Sequence, residues 1–132
     1  MDLTLTHCFI TVLDLDEALK FYCDTLGLEV RTDVRIGDFR WLTIAPKGSP
    51  VEISLETPAG RSGDVTALAA VIADGGVPAV ILGTTDCDAS FATVRASGAR
   101  VIQEPTDQPY GVRDCAVRDP SGNMVRISQT LS

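Results

Sequence analysis

The stretch ITVLDLDEALKFYCDTLGLEVRTD, residues 10 to 33, returns about 72 residues later in altered form as VILGTTDCDASFATVRASGARVIQEP, residues 80 to 105. Asp14 then corresponds to Asp86 and Asp16 to Asp88, each acidic pair standing between a strand-like apolar run and a helix-like one. Self-similarity at such a period marks one supersecondary unit written twice. With 132 residues, 45% of them hydrophobic, the chain has enough apolar material for one core and too little length for two independent ones. The two copies are expected to form a single domain, with module one over about 1–57, a linker over about 58–76 and module two over about 77–132.

Working outward from the repeat, residues 5–12 (LTHCFITV) alternate with the period of a strand, placing Cys8, Ile10 and Val12 on one face and His7, Phe9 and Thr11 on the other. Asp14 or Asp16 is suited to cap the helix that follows, in which Ala18, Leu19, Tyr22 and Leu26 fall at helical spacing, and Gly27 stops it. Three runs rich in β-branched and aromatic residues come next, at 28–34, 39–45 and 50–56. The second half repeats the order: a strand at 78–84, a helix opened by Asp88 and closed at Gly98, then strands at 99–105, 112–119 and 123–129. Asp119-Pro120-Ser121-Gly122-Asn123 is turn chemistry joining the last two strands. Residues 58–63 read as loop, and 64–73 as a short connecting helix. The fold class is α+β.

Alternation also sorts the strand faces. If helices cover one face of each sheet, Ile10, Val12, Leu42, Ile44, Val51, Ile53 and Leu55 belong beneath them, with Val80, Leu82, Val125 and Ile127 in the second copy. The other face then collects aromatic and polar side chains, which suits a ligand surface.

The net charge of -7, with no run of Lys or Arg, disfavours nucleic acid and anionic membranes as partners, because the leading attraction would have the wrong sign. No stretch approaches the roughly 20 apolar residues of a membrane span, and the first residues lack a signal-like pattern, so a cytoplasmic location is expected. Cys8, Cys23, Cys87 and Cys115 have neither disulfide nor zinc spacing and read as small apolar filler. Cys87, between two aspartates at a helix start, is expected to be the least buried of them, with a thiol pKa raised by the carboxylates. No nucleophile elbow and no phosphate-cradling glycine loop is present.

The opening strand with its histidine, the D-x-D-x-A-x-x-F-Y-x-x-x-L-G-L-E-V segment from Asp14 to Val30, and the R-D-P-S-G-N-M-V-R-I segment from Arg118 to Ile127 together resemble the vicinal oxygen chelate superfamily. That superfamily includes glyoxalase I, extradiol dioxygenases and the bleomycin-binding resistance proteins. The resemblance implies two βαβββ modules whose curled sheets form a cleft, with helices on the outer face, in a homodimer. In the family's metalloenzymes, the first and fourth strands of each module supply four metal ligands. Here they would be His7 and Glu52 in module one, but Ala79 and, with a two-residue slip in the repeat, Arg126 in module two. Alanine has no donor atom and arginine is a permanent cation, so the set is a poor metal site, with Glu56 or Asp114 the available replacements.

The reading that follows is a metal-independent binding protein without cofactor, of the bleomycin-resistance type, sequestering a hydrophobic or aromatic natural product or antibiotic. The alternative is a metal-dependent lyase, isomerase or dioxygenase with an atypical site, in which His7 and Glu52 hold the metal. Candidate ligand-binding residues are Phe9, Phe39, Trp41 and Met124 for apolar and stacking contact, His7, Glu52, Ser54 and Arg126 for orientation, and Tyr110 on a loop at a cleft mouth. His7, the chain's only histidine, and Trp41, its only tryptophan, each also admit a purely structural role.

Overall fold

The computed structural model describes residues 1–60 and 65–132, which form two compact units, residues 1–69 and 70–132. In the first, strand β1 (His7–Thr11) leads into helix α1 (Leu15–Leu19), followed by strands β2 (Glu29–Ile36), β3 (Phe39–Ala45) and β4 (Glu52–Glu56). The sheet order is β1-β4-β3-β2. A 3₁₀ turn (Pro58–Gly60) and helix α2 (Thr66–Ala73) lead onward; the expected helix start at 64 and loop positions 61–63 lie outside the described residues. The second unit repeats the plan with β5 (Pro78–Gly83), α3 (Cys87–Ala96), β6 (Val101–Asp107), β7 (Val112–Arg118) and β8 (Met124–Thr130), in the order β5-β8-β7-β6. Each is a βαβββ module with a four-stranded mixed sheet. The first and last strands of each run parallel, as strands separated by a helical crossover do, and hairpins join the rest antiparallel.

The two caps match in kind. Asp14 accepts a hydrogen bond from the Glu17 amide at 2.9 Å, and Asp86 accepts one from Ala89 at 3.0 Å. The second helix is therefore opened by Asp86, not by the expected Asp88. A carboxylate three residues ahead of its target amide reaches it; one inside the first turn does not. Beyond α1 the chain continues as a π-helical segment (Lys20–Thr25), with the Leu26 amide bonded to the Phe21 carbonyl. The wider turn lets the adjacent Phe21 and Tyr22 both face the core, their rings 5.0 Å apart and edge to face. The helix spacing expected of the sequence does not foresee that. Gly27 ends the segment at φ +81°, where a glycine is favoured.

Ile10, Val12, Leu42, Ile44, Ile53 and Leu55 are buried as the alternation requires, and Val125 and Ile127 are buried in the second unit, whereas Val51, Val80 and Leu82 are only half-buried. Cys8 departs from this: on an edge strand, it is exposed. Cys87, expected to be the least buried cysteine, is fully buried, because the cap at Asp86 turns the following residue inward toward Cys115 and the Ile127 carbonyl. Burial, then the charge of Asp88, raises the Cys87 thiol, and burial pushes Cys115 up to about 12.

Arg40, the second residue of β3, bonds Asp33 at 2.9 Å and Asp16 at 3.1 Å, tying the first turn of α1 to the β2–β3 hairpin. Arg113, the second residue of β7, bonds Asp107 at 3.0 Å and Asp88 at 3.0 Å and ties α3 to the β6–β7 hairpin. The duplication thus extends to an arginine clamp, and Asp16 and Asp88, not caps, are the clamps' counterparts in the helices. Such solvent-facing pairs add little net stability, because water and salt screen them. They fix geometry more than they add stability.

Candidate functional site

In the first unit, the parallel ladder sets His7 directly beside Glu52. His7 Nε2 lies 3.8 Å from Glu52 Oε1, while its Nδ1 is 3.0 Å from the Thr6 hydroxyl. The firmer hold on the carboxylate comes from the buried Thr43, whose hydroxyl donates to Oε1 at 2.6 Å. A short bond from a buried hydroxyl fixes one oxygen and leaves the other for a ligand. Trp41 completes the group, its ring 5.8 Å from the imidazole and tilted by 48°. Thr43 was not among the sequence candidates; its alternation with Trp41 is the signal that points to it.

Phe9 and Phe39 lie on the same strands and are 61% and 57% exposed, and both half-buried His7 and Trp41 remain reachable. Two large aromatic side chains left in water on a sheet face that also holds a fixed carboxylate form a surface suited to a flat, partly apolar molecule. Ser54 sits between Phe9 and Thr43 in the ladder and is buried. Glu56 accepts a hydrogen bond from the Thr11 hydroxyl.

In the second unit, Ile10↔Leu55 is matched by Leu82↔Ile127, Thr11↔Glu56 by Gly83↔Ser128, and Phe9↔Ser54 by Ile81↔Arg126. Arg126 therefore occupies the ladder position of Ser54, and Met124 that of Glu52. This overturns the two-residue slip that equated Arg126 with Glu52. An irregularity between Pro78 and Val80 leaves Ala79 out of the ladder, and such a local shift cannot be counted from sequence.

Arg126 does not stand alone as a cation. Its Nη1 lies 3.3 Å from Asp114 Oδ2 and donates to Gln103 Oε1 at 3.1 Å. The Gln103 and Gln108 amides donate to Asp114 Oδ1 at 2.8 and 3.0 Å. Burial by itself would raise the Asp114 carboxyl. The bonds from Gln108 and Gln103 and the Arg126 charge outweigh it and hold the carboxyl below its ordinary value. Met124 Sδ lies 3.8 Å from Arg126 Nη2. Tyr110 is on the turn between β6 and β7 and is 70% exposed.

The residues present do not fit the four-ligand metal centre of the family's metalloenzymes. His7 and Glu52 are two donors, Ala79 supplies none, Met124 offers a thioether at the position equivalent to Glu52, and Arg126 is cationic. Among the described residues, no three of His, Cys, Asp and Glu converge as a metal-holding group. Asp114 is taken up by its amides and Arg126.

Two βαβββ modules, each with a parallel pair of first and last strands, define the vicinal oxygen chelate fold. The chain belongs to the Glyoxalase/Bleomycin resistance protein/Dioxygenase superfamily, whose family model matches residues 4–127. It is 29% identical over 131 residues to a probable lactoylglutathione lyase of Synechocystis sp., covering 97% of this chain and 96% of that protein. Among solved structures it resembles UcmS2, with a TM-score of 0.88 and 35% identity over 97% of this chain and 98% of that one. It also resembles TnmS3, described as an antibiotic binding protein from Streptomyces sp. CB03234, with a TM-score of 0.77 and 26% identity over 98% of this chain and 97% of that one. No described helix is long and apolar enough to cross a membrane.

Proposed function

We propose that this protein is a metal-independent binder that sequesters a hydrophobic, aromatic natural product or antibiotic, acting as a cytoplasmic homodimer. The observation that carries the reading is the exposed aromatic surface of the first unit, Phe9 and Phe39 beside the tilted His7–Trp41 pair and the Thr43-anchored Glu52. Stacking and burial of a flat ligand there supply affinity, while His7 and Glu52 orient its polar edge. The likeness to an antibiotic binding protein, and a donor set that falls short of a metal centre, support it.

Because Trp41 is the only tryptophan, polycyclic aromatic probes should change its fluorescence on binding. Trp41→Ala should weaken binding by roughly 5- to 150-fold, the equivalent of losing about 1–3 kcal/mol at a packed aromatic contact. The probe should be recovered chemically intact after long incubation; a modified product whose formation is abolished by His7→Ala would reject sequestration. Sedimentation at micromolar concentration tests the dimer.

The His7–Glu52 pair and the likeness to a probable lactoylglutathione lyase favour a second reading, a glyoxalase-like lyase. Turnover of the hemithioacetal of methylglyoxal and glutathione with added zinc or nickel, lost in Glu52→Gln, would establish it in place of the first.

A further inference from the structure

Glu52 is a carboxylate that no arginine or lysine of the described residues neutralises. The arginines of its sheet are engaged or placed elsewhere. Arg31 is ion-paired with Glu29 and donates to the Pro46 and Ser49 carbonyls, and Arg40 is taken up by Asp33 and Asp16. Arg35 stands opposite Arg40 in the β2–β3 ladder, one residue on from the Val34↔Trp41 pair, and so on the other face of the sheet from Trp41. The basic group beside Glu52 is His7, whose Nε2 at 3.8 Å is beyond hydrogen-bonding distance.

The carboxylate is held at one oxygen and open at the other. The buried Thr43 hydroxyl donates to Oε1 at 2.6 Å. Among the described residues no hydrogen bond engages Oε2, and neither Glu52 oxygen is buried without a partner, so Oε2 meets solvent. The side chain as a whole keeps 27% of its surface exposed. Around it the first unit gathers aromatic rings. Phe9 and Thr43 both pair with Ser54, which puts Phe9 and, by alternation along β3, Trp41 and Phe39 on the face that bears Glu52. An open, anchored carboxylate among ring faces is the arrangement that suits a positively charged group, since the negative face of an aromatic ring attracts a cation as well.

We propose that the ligand of the Trp41 face is an organic cation, an aromatic ring system bearing an ammonium group that donates to Glu52 Oε2, and that Thr43 is the positioning residue that aims the carboxylate. The inference rests on the small-molecule-binding reading above and names the ligand class. A neutral hydroxyl and an ammonium can both donate to Oε2. Charge decides between them: only the ammonium adds Coulomb attraction to its hydrogen bond, and only it is drawn to the ring faces of Trp41 and Phe9. Removing water from an ammonium opposes this, but a half-open site lets the group keep part of its hydration. An anion gains nothing, because it meets Glu52 as a like charge in a chain whose net charge is -7.

The test compares naphthalenes that carry one substituent at the same ring position, ammoniomethyl, hydroxymethyl, methyl or carboxylate, by calorimetry or equilibrium dialysis on the full chain. The ammonium probe should bind tightest, by roughly ten- to hundredfold over the methyl probe, the range for a hydrogen bond to a charged group. The hydroxymethyl probe should fall between them and the carboxylate last. Glu52→Gln keeps the shape and an acceptor for the Thr43 hydroxyl, so it should cost the ammonium probe about tenfold and the methyl probe much less. Thr43→Val should shrink the ammonium advantage, and Thr43→Ser, which keeps the hydroxyl, should restore it. A Thr43 that only supports the sheet would weaken all the probes alike, which would overturn its positioning role. Equal binding of the ammonium and hydroxymethyl probes, or a carboxylate preference, overturns the inference and leaves sequestration standing. An ammonium preference undiminished in Glu52→Gln also overturns it, since net charge alone would then account for the attraction. Failure of every probe to bind overturns both readings. Thr43→Val reports on the same carboxylate independently, so the assignment to Glu52 stays testable if Glu52→Gln does not fold.

Discussion

Replacing Gly122 by alanine should be among the most damaging single-methyl additions in the chain, and the structure permits its cost to be separated into parts. Gly122 sits in the β7–β8 turn at φ +115°. A Cβ there would run into the Ile72 carbonyl oxygen and come within 3.0 Å of the Ala73 carbonyl oxygen, both backbone atoms of the last turn of α2. Backbone cannot swing aside as a side-chain end can, so either the helix end or the turn must retreat. Forcing an L-residue into the left-handed region costs about 1–2 kcal/mol. The steric misfit adds about 1–3 kcal/mol. Retreat of the turn also weakens the bonds from the Gly122 amide to Asp119 Oδ1 at 2.9 Å and to the Asp119 carbonyl at 3.0 Å, at about 1 kcal/mol each. The expected loss is about 4–7 kcal/mol, a large share of the stability of an ordinary domain. Gly48→Ala is the control, because Gly48 has φ +80° and open space where its Cβ would stand, so only the backbone part remains. Urea titration at pH 7 should show the Gly122→Ala midpoint lowered by about 2 M, and Gly48→Ala by well under half of that. Equal midpoints for the two variants would refute the claim that the turn is locked against α2.

Asp33 is held below its ordinary value of 3.8 by the hydrogen bond from Arg40, against a smaller opposing effect of burial, and Asp114 is held low by its amides and Arg126. A depressed carboxyl contributes stability that is present above its unfolded pKa and lost as pH falls through the folded one, so unfolding free energy should fall steeply below about pH 4, and less steeply in Arg40→Gln. Thiol labelling of the native protein should modify Cys8 rapidly and spare Cys87 and Cys115, which are buried and whose thiols are raised by that burial; rapid loss of all three without unfolding would contradict the placement of α3 on β7. Zinc, nickel or manganese should leave the melting temperature within about a degree, because His7 and Glu52 alone make a weak site, and a rise of several degrees abolished by His7→Ala would show a donor set that the described residues do not supply.

The sequence by itself determined the duplicated βαβββ plan. Its signals are local: an aspartate cap ahead of each helix, read at Asp14 or Asp16 and at Asp88 and found at Asp14 and Asp86, the stop at Gly27 and the turn at 119–123 act within four or five residues of where they are read. Period-two alternation likewise placed Leu42, Ile44 and Leu55 inside and Phe9 and Phe39 outside, because a strand's faces are fixed by its own backbone. The pairing of His7 with Glu52 was legible through the family resemblance. What only tertiary structure decided was register and partnership. The β5–β8 register set Met124, not Arg126, at the position of Glu52, and a local irregularity left Ala79 out of the ladder. The π-helical turn brought Phe21 and Tyr22 inward together, and the cap at Asp86 buried Cys87. Most of all, Gln103, Gln108 and Arg126 enclose Asp114 from three points of the second sheet and its connecting turn. No spacing rule links residues 103, 108, 114 and 126, because strand pairing, a long-range choice governed by burial and twist, is what brings those side chains within 3.3 Å of one another in turn.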